Sequence, residues 1–159
     1  MIVLKHILVA TDFSPASDAA LTYARALATR FGATLRVLHV AENHFMRPTT
    51  TDPRDITMSA MRRAEHLLTA DDRASLGGQA VVETSDHPAD AIVGYAKSAG
   101  IDLIVMGTQG RGAVAQVLVG SVAERVVRTA PCPVLTIKHP EHEFVLPDAA
   151  GTQQEARLS

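Results

Sequence analysis

Short apolar runs alternate with stretches of helical period over most of the chain. Residues 4–10 contain the near-continuous run Ile7, Leu8, Val9, Ala10, bounded by Thr11 and Asp12. So short and unbroken a run is expected of a strand covered on both faces, hence a central strand of a parallel sheet. Ser14 and Pro15 then mark a helix start, the hydroxyl as cap and the proline in the first turn. Ala20, Ala24, Leu27, Ala28 and Phe31 recur at helical spacing until Gly32 supplies a stop. Residues 34–40 predict a second strand, and residues 41–51, which follow neither period, a loop at the carboxyl edge of the sheet.

Asp52 and Pro53 open a helix whose apolar set, from Ile56 and Ala60 to Leu67 and Leu68, is expected to run on to Gly77 and Gly78. Residues 79–84 read as a third strand, 88–99 as a helix with Ala89, Ile92, Val93 and Ala96 inward, and 101–106 as a fourth strand. Val114, Val117 and Leu118 predict one or two helical turns, and a last helix from Ser121 packs Val122, Val126 and Val127 before Pro131 ends it. Residues 134–138 make the fifth strand. Periodicity vanishes from His139, so the expected organisation is one domain over 1–138 and a disordered tail over 139–159. Five strands alternating with helices of crossover length make a single doubly wound α/β parallel sheet.

The chemistry concentrates where the fourth strand empties into Gly107, Gly110 and Gly112 and the helical pattern resumes after Gly120 and Ser121. Unobstructed backbone N–H groups gathered there form anion-binding geometry. The plain alternative is an ordinary strand-to-helix turn. Glu124, three residues after Ser121, offers a capping box, which leaves the Ser121 hydroxyl a candidate both for capping the helix and for touching a phosphate. If the first and fourth strands are neighbours across a reversal of strand order, Asp12 and the glycine stretch share the crevice where such sheets bind ligands.

Composition narrows the partners. Fifteen basic against seventeen acidic residues give a net charge of -2, and aromatics are 4% without tryptophan, so neither an electrostatic footprint for nucleic acid nor a base-stacking platform is expected. Cys132 is the single cysteine, which excludes an intramolecular disulfide and reads as a small buried hydrophobe. No run has transmembrane length and the first residues turn polar too early for a signal peptide, which makes the cytoplasm the expected compartment and a membrane partner unexpected. Of seven histidines, His6, His39, His66 and His87 lie in different elements without ligand spacing, and His139 and His142 lack a nearby cysteine, so no zinc site is expected.

Val9, Ala10, Thr11, Asp12, Phe13 and Ser14, then Leu38, His39 and Val40, then Gly107-x2-Gly110-x9-Gly120-Ser121, closed by Ala130, Pro131, Cys132, Pro133 and Val134, resemble the universal stress protein family over roughly residues 2–138. Four separated pieces in the right order are more specific than one glycine motif. The glycine pattern resembles that of the ATP-binding branch. The resemblance implies a Rossmann-like, adenine nucleotide α-hydrolase-like architecture with strand order 3-2-1-4-5, in the response to stress. It implies an ATP site drawing on Ala10, Thr11 and Asp12, with Asp12 contacting the nucleotide directly or through a divalent ion. Val40 would read the adenine edge through its backbone, Met106 and Gly107 would border adenine and ribose, and Gly110, Arg111, Gly120, Ser121 and Val122 would surround the phosphates. It further implies Mg²⁺, or Mn²⁺ in its place, held through the phosphates, and a homodimer made by antiparallel pairing of fifth strands.

This chain departs from the family pattern at Gln109, where many members carry His, at Gly112, where Thr or Ser is frequent, and in Ser85, Asp86, His87 and Pro88, where a glycine more often precedes the proline. Asp12 has a second reading as a cap of the turn that follows it. Arg111 is equally a phosphate counter-charge and a solvated loop residue. Outside the cradle there is no Walker lysine, no paired carboxylates and no Ser-His-Asp arrangement, so a dedicated enzyme is not expected. The preferred reading is a nucleotide-responsive regulatory protein with an unidentified protein partner. The alternatives are a weak metal-dependent ATPase and a partner-binding protein that works without ATP.

Overall fold

The computed structural model describes residues 1–43, 50–109 and 119–139. Five strands, β1 (His6–Thr11), β2 (Thr34–Ala41), β3 (Gln79–Thr84), β4 (Leu103–Gly107) and β5 (Val134–Ile137), form one parallel sheet in the order β3-β2-β1-β4-β5. The intervening helices are α1 (Pro15–Phe31), α2 (Pro53–Leu67), α3 (Ala70–Ser75), α4 (Pro88–Ser98) and α5 (Ser121–Thr129). None of the described helices is long and apolar enough to cross a membrane.

Alternation along each strand sorts the core into two layers. Ile7 and Val9 of β1, with Leu35 and Val37 of β2, Val105 of β4 and Ile137 of β5, pack against Ala20, Leu21, Ala24 and Ala28 of α1. Leu8 and Ala10, with Leu38, Ile104 and Met106, pack on the other face against Ile92, Val93 and Ala96 of α4 and Ala123 and Val126 of α5. Both faces of β1 are therefore buried, which is why its sequence shows no polar alternation. Burying a side chain such as Ile104 contributes roughly 1.5–3 kcal/mol, and the central strands carry most such residues.

Helix α1 starts as its residues dictate. The Ser14 hydroxyl accepts from the Ser17 N–H at 3.3 Å, Pro15 follows, and Gly32 ends the helix at φ 66°, its N–H near the carbonyl of Ala28. A stripe of Ala16, Ala20, Ala24 and Ala28, all buried, lets the helix axis lie close to the sheet.

The helix expected from Asp52 to Gly77 and Gly78 is instead broken. Leu68 is extended (φ -88°, ψ 125°) and Thr69 caps α3 in a reciprocal capping box with Asp72. The break buries Leu68 in the α1 layer and turns Asp72, 2% exposed, toward Arg25 of α1. The Asp72 carboxylate accepts from Arg25 Nε at 2.8 and 2.9 Å and from the Thr69 N–H at 2.8 Å, while Arg25 Nη2 donates to the carbonyl of Leu67. Burial pushes the Asp72 carboxyl up, but the hydrogen bonds from Arg25 and Thr69 and the charge of Arg25 outweigh it and hold the group below the usual carboxylate range.

Other boundaries shift by a residue or two. The fourth strand starts at Leu103 rather than Ile101, because the Asp102 carboxylate accepts the N–H groups of Lys5 and His6 at 2.8 and 2.9 Å and sets the entry into β1. Those two hydrogen bonds keep the Asp102 carboxyl below its ordinary range. In α5 the expected capping box is not formed. Gly120 occupies the cap position, Ser121 is the first helical residue, and Glu124 pairs with Arg128 at 2.9 Å. Val127, expected on the packed face, is 53% exposed, while Val126 is fully buried. The helical turns expected around Val114, Val117 and Leu118 and the tail beyond His139 lie outside the described residues.

Candidate functional site

Strand order reverses between β1 and β4, which are neighbours although the chain visits two other strands between them. Their carboxyl ends open the crevice at which doubly wound sheets bind ligands. The register places Ala10 between Leu38 and Met106. Ala10 and Met106 are buried in the α4–α5 layer, and Val40 and Val122 pack against that layer half-buried. Four of the residues expected at the site thus share one face of the sheet at its carboxyl end. Gly110 and Arg111 lie outside the described residues.

Past Ala10 the chain makes a tight turn. The Phe13 N–H donates to Thr11 Oγ1 at 3.0 Å, and the Ser14 N–H donates to Asp12 Oδ1 at 3.0 Å. Ser17 Oγ also donates to Asp12 Oδ1, at 2.7 Å, and accepts from the Asp12 N–H at 3.2 Å. The capping role of Asp12 is therefore present, and the half-buried residue stands just past the carboxyl end of β1. Phe13 adopts φ 63°, the left-handed region that aromatic residues rarely enter. Its ring lies 4.4 Å from that of His39, whose Nδ1 is 2.8 Å from the carbonyl of Thr11. A carbonyl only accepts, so this contact places the proton on Nδ1. The guanidinium of Arg63 sits 4.0 Å from the centre of the Phe13 ring. Neither the backbone of Phe13 nor its stacking partners carries a local sequence signal; the contacts join β2, the β1 turn and α2.

On the other side of the crevice, the Thr108 N–H donates to the carbonyl of Ile137 at 2.9 Å, and the Gly120 N–H donates to the carbonyl of Thr108. That second bond closes the glycine stretch at its base and sets the start of α5 beside the end of β4. It also commits the Gly120 N–H, so the first-turn donors of α5 without a partner in their own helix belong to Ser121, Val122 and Ala123. Thr108 is buried and was not singled out by the sequence, where it reads only as a polar residue between glycines. Gly107 faces α1 rather than the crevice side: a Cβ there would lie 2.8 Å from Ala16 Cβ. The loop after β3 is tied down as well, the Ser85 N–H donating to the carbonyl of Ala41 and the Asn43 N–H to Asp86 Oδ1.

Among the described residues no three His, Cys, Asp or Glu side chains are placed to hold a metal ion together. Asp12 brings one carboxylate to the carboxyl end of β1, a donor of the kind that completes the coordination of an ion arriving on phosphates. Cys132 is half-buried against the α4–α5 layer, and that burial raises its thiol above the ordinary value.

Comparison with known proteins gives a consistent result. A universal stress protein from Thermus aquaticus is 35% identical over 143 residues, covering 84% of this chain and 98% of the relative. The structure of the universal stress protein UspA from Lactobacillus plantarum superposes with a TM-score of 0.67 at 30% identity, over 86% of this chain and 99% of that one. At 24% identity, where the likeness speaks for the fold, stand a universal stress protein solved with cAMP (TM-score 0.61, 86% and 98% covered) and the universal stress protein from Archaeoglobus fulgidus solved with dAMP (TM-score 0.64, 87% and 100% covered). The model of the universal stress protein family matches residues 4–138, which span every strand and helix described above. By its sheet order, its strand-end motifs and this match, the chain belongs to the universal stress protein family.

Proposed function

We propose that this chain is an ATP-binding regulatory protein of the stress response, cytoplasmic and nucleotide-responsive, whose site is the crevice between β1 and β4. The observation that carries this reading is the convergence of Ala10, Val40, Met106 and Val122 on one face beside Asp12 and the N-terminus of α5. The complexes of other family members with cAMP and dAMP support an adenine nucleotide as the ligand class.

Adenine would lie against Val40 and Met106, with the Val40 backbone reading its edge. The ribose would border Thr11, Asp12 and Gly107. The phosphates would meet the N–H groups of Ser121 and Val122, where the helix dipole favours negative charge, with Gly110 and Arg111 completing the cradle. Gly120 then serves by shape, leaving room at the cap. The donor set fits ATP: three orphan N–H groups at one helix end and one carboxylate for a phosphate-borne Mg²⁺ or Mn²⁺. When bound, that ion would neutralise phosphate charge. The residues of this chain bind and orient, and pairing of exposed β5 edges would give the homodimer.

Calorimetric titration with ATP, with and without Mg²⁺, tests the reading, alongside mass spectrometry of small molecules released on denaturation. Micromolar affinity, on the order of -8 kcal/mol, is expected. Gly120→Val should lose most of it while the fold is kept, because Gly120 has an extended backbone (φ -71°, ψ 156°) open to any residue. Absence of binding in the parent chain would overturn the proposal, and metal-dependent release of phosphate would move it to an ATPase.

A further inference from the structure

Away from the crevice, on the α1–α2 side of the sheet, lies an open groove of about 520 Å³ between the first turn of α1 and the middle of α2. Ser59, Arg62, Arg63 and His66 of α2 line it, with Asp18 of α1 and the ring of Phe13. The spacing explains the α2 set: Ser59 stands three and four residues before Arg62 and Arg63, and His66 stands four and three after them, so the two arginines are bracketed one turn above and below.

Two neighbouring arginines of α2 pair with no carboxylate among the described residues, whereas four others on the surface do. Arg25, Arg54, Arg125 and Arg128 each face a carboxylate within 3.0 Å. Arg62 and His66 make no hydrogen bond or ion pair among the described residues, and Arg63 engages only the face of Phe13. That contact favours a position of the exposed Arg63 guanidinium over the groove while leaving its in-plane N–H fork open. Phe13 is itself held in a left-handed backbone conformation, and its ring also packs on that of His39, which makes it one wall of the groove. Leu67 extends the apolar part of the lining.

We infer that this groove binds a small phosphate monoester with an apolar body. Two guanidinium forks, an imidazole and a hydroxyl within two turns of one helix match a compact dianion, which arginine recognises through paired N–H donors. The volume falls in the range of small-molecule sites and the apolar wall takes the body of the ligand. Asp18 opposes the dianion from the far wall and sets a limit on affinity. The groove lies on the opposite layer from Ala10, Val40, Met106 and Ser121 and shares no side chain with the nucleotide reading, although Phe13 follows Asp12 in the chain, so the shifts of residues 59–66 are the ones that distinguish it.

The probe is phenyl phosphate, titrated into the full chain with backbone amide NMR shifts as the readout. Saturable shifts at Phe13 and across residues 59–66 are expected. The double variant Arg62→Ala, Arg63→Ala should weaken the affinity about tenfold or more, and Asp18→Asn should strengthen it severalfold, a change of sign that general damage to the fold would not produce. Inorganic phosphate should bind more weakly than phenyl phosphate. Saturable shifts confined to residues 120–123, equal affinity in the double variant, or shifts that never saturate would each overturn the inference. Calorimetry with ATP on the same samples reads the crevice separately, so failure at one site is distinguishable from failure at the other.

Discussion

Gly107 and Ala16 touch where β4 meets the first turn of α1: a Cβ added at Gly107 would lie 2.8 Å from Ala16 Cβ and 3.0 Å from the Ala16 carbonyl carbon. The first glycine of the stretch is therefore required by helix-to-sheet packing, whatever the crevice binds. Gly107→Ala should destabilise the chain by about 1–3 kcal/mol, because the clash is with backbone as well as with a side chain and α1 must back away from the sheet. A denaturant midpoint equal to that of the parent, at unchanged slope, would show that the close approach is not what the glycine serves.

Phe13 tests how strain and stacking balance. Its φ of 63° disfavours any residue with a Cβ, and β-branched residues most of all. Phe13→Gly relieves the strain but gives up the contacts with His39 and Arg63, so a net change within about 1 kcal/mol is expected. Phe13→Val gives up the same contacts and adds strain, and should be less stable than Phe13→Gly by about 1–2 kcal/mol. Thermal unfolding of the two variants side by side checks the order. Equal stability would mean that the turn relaxes out of the left-handed region once the ring is gone.

The sheet was legible because its central strands are buried on both faces and its helices are punctuated by Ser14, Pro15, Gly32, Pro88 and Pro131. Local signals and tertiary packing agree there. They disagree after Leu67, where an unbroken helical period runs through Leu68 yet the chain turns, because Asp72 finds Arg25 at a separation of 47 residues. The Thr69–Asp72 capping signal stood in the sequence, and no local rule ranks it above the period that overlaps it. At α5 the similar signal of Ser121 and Glu124 failed instead, since Gly120 is held as cap by its bond to Thr108. That Ala10, Val40, Met106 and Val122 share one layer follows from strand alternation and sheet order, and the resemblance alone assigns them to a ligand. The stack of His39, Phe13 and Arg63 was not legible, because it joins three elements through contacts that leave no spacing to read.

Asp72 predicts a pH dependence. Its folded value lies below that of an unfolded aspartate, so the unfolded chain takes up the proton first as pH falls. The stabilisation is complete above the unfolded value, about pH 4, and is lost as pH drops through the folded one. Asp72→Asn removes the charge opposite a partly buried guanidinium and should cost about 2–4 kcal/mol at neutral pH. The same variant should lose less stability between pH 5 and pH 2 than the parent, roughly in proportion to that cost. Parallel curves of stability against pH would assign the acid sensitivity to other carboxylates.

Asp12 closes the turn after β1, and in the proposed function it also meets the ligand; the two roles separate by substitution. Asp12→Asn keeps an oxygen that accepts from the Ser14 N–H and from Ser17 Oγ, so stability should stay within about 1 kcal/mol of the parent. Asp12→Ala leaves both donors without their acceptor and should cost about 1–2 kcal/mol. If Asp12 also meets a phosphate-borne cation, Asp12→Asn should abolish the strengthening of ATP binding by Mg²⁺ while leaving metal-free binding equal or tighter, because a negative charge near the phosphates has been removed. Calorimetry of that variant with and without Mg²⁺ decides: an undiminished metal effect would assign Asp12 to the turn alone and place the cation on the far side of the phosphates.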